Sequence, residues 1–377
     1  VPPLKVDNKV IDSNQDKANI LNKHFQSVFT NEDTTNIPNK GLSPFPEIGD
    51  IVFTKAGIEK QLRNLKPNKA AGPDQISPWI LKNFASECAI MLQIVFTQSY
   101  DSGNIPEEWK KAVISPIHKK DDKSLPKNYR PISLTCIACK VMEHVVSSHM
   151  SRYFEARNIL TPHQHGFRKG FSTETQLISV LDDWFTSLDR RIRTDVLLLD
   201  FSKAFDTVPH HRLFYKLNYY GINGKTHRWI KNLILNRSQC VQVSGERSKW
   251  VKVSSGVPQG TVLGPLLFLV YINDITCQIN SKIKLFADDA VMYSEITTQN
   301  DISSFQTDIN QISTWCNTWQ MDLNLTKCNI MTIKRSTVDQ PACYYIKRYP
   351  LQNICSHKYL GIIIQDDLQW DSQVREV

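Results

Sequence analysis

Lys284-Leu285-Phe286-Ala287-Asp288-Asp289-Ala290-Val291-Met292-Tyr293 is the stretch on which the reading of this chain turns. A short apolar run enters two adjacent acids and a second apolar run leaves them. That is the pattern of a tight β-hairpin with both carboxylates at its turn. Neighbouring carboxylates repel one another, so a pair held at a core edge needs cations to balance it. Hard divalent ions with oxygen ligands meet that need. The Asp-Asp dipeptide also occurs at 121–122, 182–183 and 366–367. Asp121-Asp122 falls in a charged turn, Asp182-Asp183 on the polar side of a helical stretch, and Asp366-Asp367 before little apolar sequence. Only Asp288-Asp289 has apolar strands on both sides, and the other three pairs are expected to be solvated.

Upstream, Val196-Leu197-Leu198-Leu199 reads as a buried strand and ends in Asp200. A carboxylate at that point is a metal ligand or a helix cap. Joined to Asp288 and Asp289, it gives three carboxylates from two strand edges, the donor set of a two-metal site for phosphoryl transfer. Between them lies Ser255-Gly256-Val257-Pro258-Gln259-Gly260, whose glycines let backbone approach a ligand closely. An apolar helix from about 261 to 275 follows it. Beyond the hairpin, Ile302, Phe305, Ile309, Ile312, Cys316 and Trp319 form one stripe of a long amphipathic helix. Ile330–Lys334 is then a further strand.

Nearer the start, residues 1–50 are polar, with one amphipathic helix carrying Ile20, Leu21, Phe25, Val28 and Phe29. Thr54 caps a helix with Ile58, Leu62 and Leu65. Ser77-Pro78 opens another that runs toward Tyr100, with Gly103 past its end. Ala112–Ile117 is a strand leading into His118-Lys119-Lys120-Asp121-Asp122-Lys123, and Asn128-Tyr129-Arg130-Pro131-Ile132-Ser133-Leu134 returns. Lysines at a hairpin tip followed by an arginine suit a triphosphate, because Lys is a point charge and Arg a fork. A solvated charged hairpin has the same spacing, and both readings stay open. A helix follows over 138–156, then the loop Gln164-His165-Gly166-Phe167-Arg168. Thr173 with Gln176 reads as a capping box. Leu177, Leu181, Trp184 and Leu188 beyond it have the spacing of a core face.

The 377 residues are 41% hydrophobic and 22% charged, enough for two or three subdomains. A net charge of +8 suits a polyanionic partner without requiring one. Nine irregularly spaced cysteines argue against a secreted disulfide framework. Cys136 and Cys139 form the one CxxC, which reads as buried thiols on one element rather than half of a zinc site. The longest apolar run, Leu263–Ile272, is too short for a bilayer. No repeat period is present, which excludes a solenoid. No signal peptide opens the chain and no initiator Met precedes Val1, so a soluble intracellular fragment of a longer polypeptide is expected.

Asp200 with Phe205, Gly256-Val257-Pro258-Gln259-Gly260 and Phe286-Ala287-Asp288-Asp289 resemble, in that order, the A, B and C motifs of reverse transcriptases. Among these, the chain looks like the non-LTR (LINE-type) retrotransposon enzymes of the jockey or chicken-repeat kind. Ala71-Gly72-Pro73-Asp74, Asn128–Leu134 and Gln164–Arg168 are similar to that group's upstream motifs. Asn324-Leu325-Thr326-Lys327 resembles motif D, and Tyr359-Leu360-Gly361 the primer-grip region.

The resemblance implies an α+β right-hand polymerase with fingers and palm and a truncated thumb. The segments are an N-terminal linker or arm at 1–53, fingers at 54–195 and palm at 196–335. The palm carries a fingers-associated insertion at about 216–250, and the primer grip and start of the thumb occupy 336–377. Asp200, Asp288 and Asp289 would bind two Mg2+ ions, with Mn2+ as a substitute. Lys119 or Lys120 and Arg130 would hold the incoming triphosphate, and Gln259 and Gly260 would lie near nucleotide and template. Phe205, five residues after Asp200, matches the gate against a ribose 2′-OH. Lys327 matches the proposed general acid for departing pyrophosphate. Asp206 is read as a helix-entry cap before Pro209. The implied partners are dNTPs, an RNA template and a DNA primer or target DNA. The implied location is the nucleus or a cytoplasmic ribonucleoprotein. Two other readings stand beside this one: a silent remnant that only binds nucleic acid, and an RNA-templated RNA polymerase.

Overall fold

The computed structural model describes residues 1–7, 9–335 and 342–376. The expected primer-grip and thumb segment therefore has residues 336–341 and 377 outside the described residues. The chain forms two compact units, one of residues 1–159 and 205–270, the other of 160–204 and 271–377. It is a mixed α+β structure, as the sequence implies.

In the first unit, Lys111–His118 pairs antiparallel with Tyr129–Leu134 and parallel with Ser238–Val243. Ser238–Val243 also pairs with Glu246–Arg247 and Val251–Lys252. Ser244 and Gly245 take φ values of +49° and +92°. Both are positive, as a two-residue hairpin loop of the I′ kind requires. The helix Asn14–Gln26, capped by Ser13, lays Ala18, Leu21 and Phe25 against Ala112, Ile114, Val241 and Val243. It stops before Val28 and Phe29, so the expected apolar stripe is shorter than its sequence. Thr54 caps Lys55–Arg63, accepting from Gly57 N–H. The helix expected from Ser77 to Tyr100 is two, Pro78–Asn83 and Ala85–Ser102. They break at Phe84, whose φ of −107° and ψ of 39° are not helical. Gly103 then ends the second in the left-handed region at φ +75°.

In the second unit a five-stranded sheet runs in the order Gln352–Asn353, Asn329–Ile333, Arg193–Leu199, Asp289–Ile296, Lys282–Phe286. Arg193–Leu199 is central and antiparallel to both neighbours, which buries it from Thr194 onward. The helix Thr173–Asp189 packs Leu177, Val180, Trp184 and Leu188 against Val196, Leu198, Val291, Tyr293, Met331 and Ile333. Its capping box is Ser172 with Thr175, not Thr173 with Gln176. Threonine can replace the acid or amide at the third helical position because its hydroxyl also reaches the cap N–H. The helix Gln299–Trp319 buries Phe305, Ile309, Ile312, Cys316 and Trp319, the expected stripe without Ile302. Among the described residues no helix is long and apolar enough to cross a membrane.

Candidate active site

The acid pair sits where its flanking strands put it. Asp289 pairs with Phe286, leaving Ala287 and Asp288 as the two turn residues. Ala287 is buried and has φ +55°. That left-handed conformation costs an L-residue about 1–2 kcal/mol. The loop before the packing helix meets this turn. Leu285 N–H donates to His163 O (2.9 Å) and His165 N–H to Leu285 O (2.8 Å). The buried Gln164 side chain then reaches Ala287. Its Oε1 accepts from Ala287 N–H (2.8 Å) and Gly166 N–H (2.7 Å), and its Nε2 donates to Ala287 O (3.3 Å). A Cβ on Gly166 would stand 2.3 Å from Ala287 N. Burial first, then the Lys284 charge, holds His163 and His165 below the usual histidine range.

The third acid ends the central strand. Leu199 faces Ala290 in the antiparallel register. One step beyond that last pair are Asp200, just past the end of its strand, and Asp289, with Asp288 next to Asp289 in the turn. Cross-strand neighbours share a face. Asp200 is half-buried, Asp288 likewise, and Asp289 is exposed. The loop Asp322–Cys328 lies along this strand end. Asn324 N–H donates to Asp200 O (2.7 Å) and Ser202 N–H to Asp322 O (2.8 Å). Lys327 Nζ lies 3.5 Å from Asp200 Oδ2, and both side chains keep substantial exposure. A pair that wet contributes at most about 1 kcal/mol. Cys328, also against Asp200, stays a thiol because burial pushes it up to about 11. Asp200, with Lys327 against it, and the turn bearing Asp288 and Asp289 are thus at the same end of two neighbouring strands. Among the described residues, no three His, Cys, Asp or Glu side chains are already drawn into a cage that could hold a metal.

The other expected residues lie in the first unit. Phe205, in the short helix Ala204–Thr207, stacks on Phe268 with ring centroids 4.4 Å apart and planes at 19°. The glycine loop is stitched to the same stretch. Val257 N–H donates to Phe205 O (2.7 Å) and Gly256 N–H to Val208 O (2.8 Å). Gly256 has φ +90°, and a Cβ there would sit 2.7 Å from Asp206 O. Gln259 Nε2 donates to both carboxylate oxygens of Asp206, at 3.1 and 3.2 Å. Asp206 thus accepts from the loop glutamine and is not the helix-entry cap expected before Pro209: the helix beyond, His210–Tyr219, has Pro209 at its N-cap and no side-chain cap. Gln259 O accepts from Ser133 N–H (2.8 Å), and a Cβ on Gly260 (φ +94°) would meet Ser133 O at 2.9 Å. The apolar helix Leu263–Ile272 gains its N-terminal partner from Glu143, whose Oε2 accepts from Val262 and Leu263 N–H at 2.8 and 2.9 Å. Arg130, opposite Ile117, is exposed, as are Lys119 and Lys120.

Three parts of this arrangement escape sequence reading. Gln164 lies within a quoted motif, yet nothing in the order of residues says that its amide brackets Ala287. Glu143 shares a helix face with Cys139, Val146 and Met150, and an acid at that point of an apolar spacing is the signal that was available. Asp183 was expected to be solvated, but it accepts from Tyr293 Oη (2.6 Å) and from Lys282. Burial works to raise its carboxyl, and these two bonds prevail and lower it. The CxxC thiols are buried at the start of the helix Ile137–Ala156, as expected. Cys136 is buried and pushed up to about 12, chiefly by that burial, and Cys139 donates to Glu143 Oε1 (3.5 Å).

A family model of the reverse transcriptase (RNA-dependent DNA polymerase) matches residues 117–364. Over 326 residues the chain is 31% identical to the probable RNA-directed DNA polymerase from transposon X-element of Drosophila melanogaster, covering 82% of this chain and 35% of that protein. It is 26% identical over 330 residues to the RNA-directed DNA polymerase from mobile element jockey of the same fly, covering 85% of this chain and 36% of that one. A Pol polyprotein from retrotransposable element R2 of Popillia japonica is 27% identical over 181 residues, covering 48% of this chain and 25% of its own. The chain thus spans about a third of the length of the first two relatives.

Proposed function

Since the chain belongs to the reverse transcriptase (RNA-dependent DNA polymerase) family, we propose that it is the polymerase portion of a non-LTR retrotransposon protein and joins dNTPs to a DNA primer on an RNA template. The observation that carries this reading is the antiparallel register that ends with Ala290 opposite Leu199, so that Asp200 and Asp289 are the next residues at that end of the two strands, with Asp288 in the adjoining turn. An all-oxygen, all-anionic donor set fits hard divalent cations and offers soft metals nothing. Mg2+ ions bound there would lower the barrier by polarising the attacking 3′-oxygen and the leaving phosphate.

The chain's own residues supply the rest. Asp200, Asp288 and Asp289 hold the ions, and their mutual repulsion favours occupancy by cations. Lys327, now 3.5 Å from Asp200, balances part of that charge and can give its proton to the departing pyrophosphate. Phe205, braced by its stack on Phe268, excludes a ribose 2′-OH. Gln259, anchored through Nε2 to Asp206, and Gly260 lie near nucleotide and template. Arg130 with Lys119 or Lys120 binds the triphosphate oxygens. The fingers comprise about 54–195, the palm 196–335 and the thumb begins in 336–377. Target DNA serves as primer, and the nucleus or a cytoplasmic ribonucleoprotein is the place of action.

Primer extension on poly(rA)/oligo(dT) with magnesium tests this. Incorporation of dTTP well above UTP is expected, and Asp288→Asn should reduce it by about a thousandfold or more while leaving the folded signal intact, since it removes a metal ligand without changing size. No incorporation by the folded parent chain, or a preference for ribonucleotides, would sink the reading.

A further inference from the structure

We propose that Gln164 is a positioning residue for the metal-binding turn, holding Ala287 in a backbone conformation it would otherwise leave. The consequence for catalysis rests on the polymerase reading above; the positioning itself rests on geometry alone. Alanine is a poor residue for φ +55°, yet it begins the turn that aims Asp288. Both main-chain polar groups of Ala287 are taken by one side-chain amide, its N–H by Gln164 Oε1 at 2.8 Å and its carbonyl by Nε2 at 3.3 Å. That amide has little freedom to leave. Gln164 is 2% exposed, and its Oε1 also accepts from Gly166 N–H at 2.7 Å. Its own backbone is pinned on both sides by the His163 and His165 bonds to Leu285. Gly166 allows the approach, because any Cβ there would collide with Ala287 N. The amide thus does for alanine what glycine's missing side chain does elsewhere, and the direction of the Asp288 carboxylate depends on it.

Removing the amide should let Ala287 relax toward negative φ and swing Asp288 away from Asp200 and Asp289. Glycine at 287 makes the amide unnecessary, because it occupies the left-handed region without strain. The test uses the purified full chain and Mn2+ alone, titrated by the electron paramagnetic resonance of the free ion. Gln164→Ala is expected to weaken Mn2+ binding about tenfold. The double variant Gln164→Ala/Ala287→Gly is expected to recover it to within about threefold of the parent. A role in packing alone would not be rescued by glycine on the far side of the bond. Hydrogen exchange in the unaltered chain gives an arm that needs no variant: the Ala287 amide should be strongly protected although it lies in a turn. The proposal is overturned by parent-like Mn2+ binding in Gln164→Ala, by a folded double variant as weak as the single one, or by fast exchange at Ala287. Primer extension separates the two readings. A parent chain that fails to extend but shows this Mn2+ and exchange pattern loses the polymerase and keeps the positioning role. A parent that extends while Gln164→Ala binds Mn2+ normally does the reverse.

Discussion

The turn that carries Asp288 and the loop that carries Gln259 each contain backbone in the left-handed region, and they meet its cost by different means. In the loop, Gly256 and Gly260 sit at φ +90° and +94°, where the absence of a side chain both permits the angle and lets Asp206 O and Ser133 O approach. In the turn, an alanine sits at φ +55° and a glutamine more than a hundred residues upstream holds its two polar groups. The first device is local and written in the residue itself. The second is a tertiary contact, made by a side chain whose identity says nothing about where it goes.

The comparison breaks most severely at Gly256. Gly256→Ala adds a Cβ against backbone at 2.7 Å and forces a side chain into φ +90°. A loss of about 3 kcal/mol or more is expected in urea unfolding. Ala287→Gly goes the other way. Relief of left-handed strain and the greater entropy of the unfolded glycine nearly cancel, so a change within about 1 kcal/mol is expected. Equal destabilisation by the two would mean that the angles at these positions are not what distinguishes them.

Next in size is Phe205→Val. Its ring is stacked on Phe268 and has no close substitute in a smaller side chain. Discrimination between dNTP and NTP should fall about ten- to hundredfold, measured as single-nucleotide kcat/KM ratios. An unchanged ratio would remove the gate from this residue. It would also leave the glycine loop, to which Phe205 O is bonded through Val257 N–H, without its assigned neighbour at the sugar.

What the sequence makes legible follows the same division. Elements fixed by short-range pattern are where they were expected: the strand ending at Asp200, the hairpin bearing Asp288 and Asp289, the cap at Thr54, and the glycine loop. The resemblance to reverse transcriptases agrees with the family match and the transposon relatives. The misreadings are tertiary or marginal. Phe84 breaks a helix without a glycine or proline to announce it. Ser172 and Thr175 take a box that Thr173 and Gln176 could have made with equal propensity. Asp206 looks like a cap until Gln259 is seen beside it. Residues 1–53 read as a polar arm, yet Leu4, Ala18, Leu21 and Phe25 complete a core with the strands at 111–118 and 238–243. The first two are local choices that propensity leaves undecided; the last two turn on a partner distant in sequence, which neither period nor propensity encodes.

Two Asp-Asp pairs sharpen this within one unit. Asp183 lies on a helix and accepts from Tyr293 and Lys282, and Asp288 stands in the hairpin turn next to Asp289. Asp183→Asn should cost about 1 kcal/mol after allowance for solvent screening, with incorporation per folded molecule unchanged. Its folded carboxyl lies below the ordinary value of 3.8. Its contribution is therefore present above about pH 4 and lost as pH falls through the lower folded value. A loss of incorporation as large as that expected of Asp288→Asn would place Asp183 with the acids proposed to bind metal.

The smallest effect belongs to an acid whose partners are all adjacent in sequence. Asp301 closes the capping box of the helix that follows the outgoing strand, accepting from Thr297 N–H (2.9 Å) and Thr298 N–H (2.7 Å) while Thr298 Oγ1 accepts from Asp301 N–H. The Thr297 and Thr298 bonds hold its carboxyl down at about 2, from the usual 3.8. A depressed folded value means the box contributes fully above about pH 4 and fades only as pH falls toward about 2. Acid unfolding of Asp301→Ala, followed by circular dichroism, should therefore differ from the parent at pH 5 and converge with it near pH 2. Persistent separation at the lowest pH would show that the acid acts through something other than its ionised oxygens. It would then resemble Gln164, whose uncharged amide exerts its hold at any pH, more than a cap read from sequence.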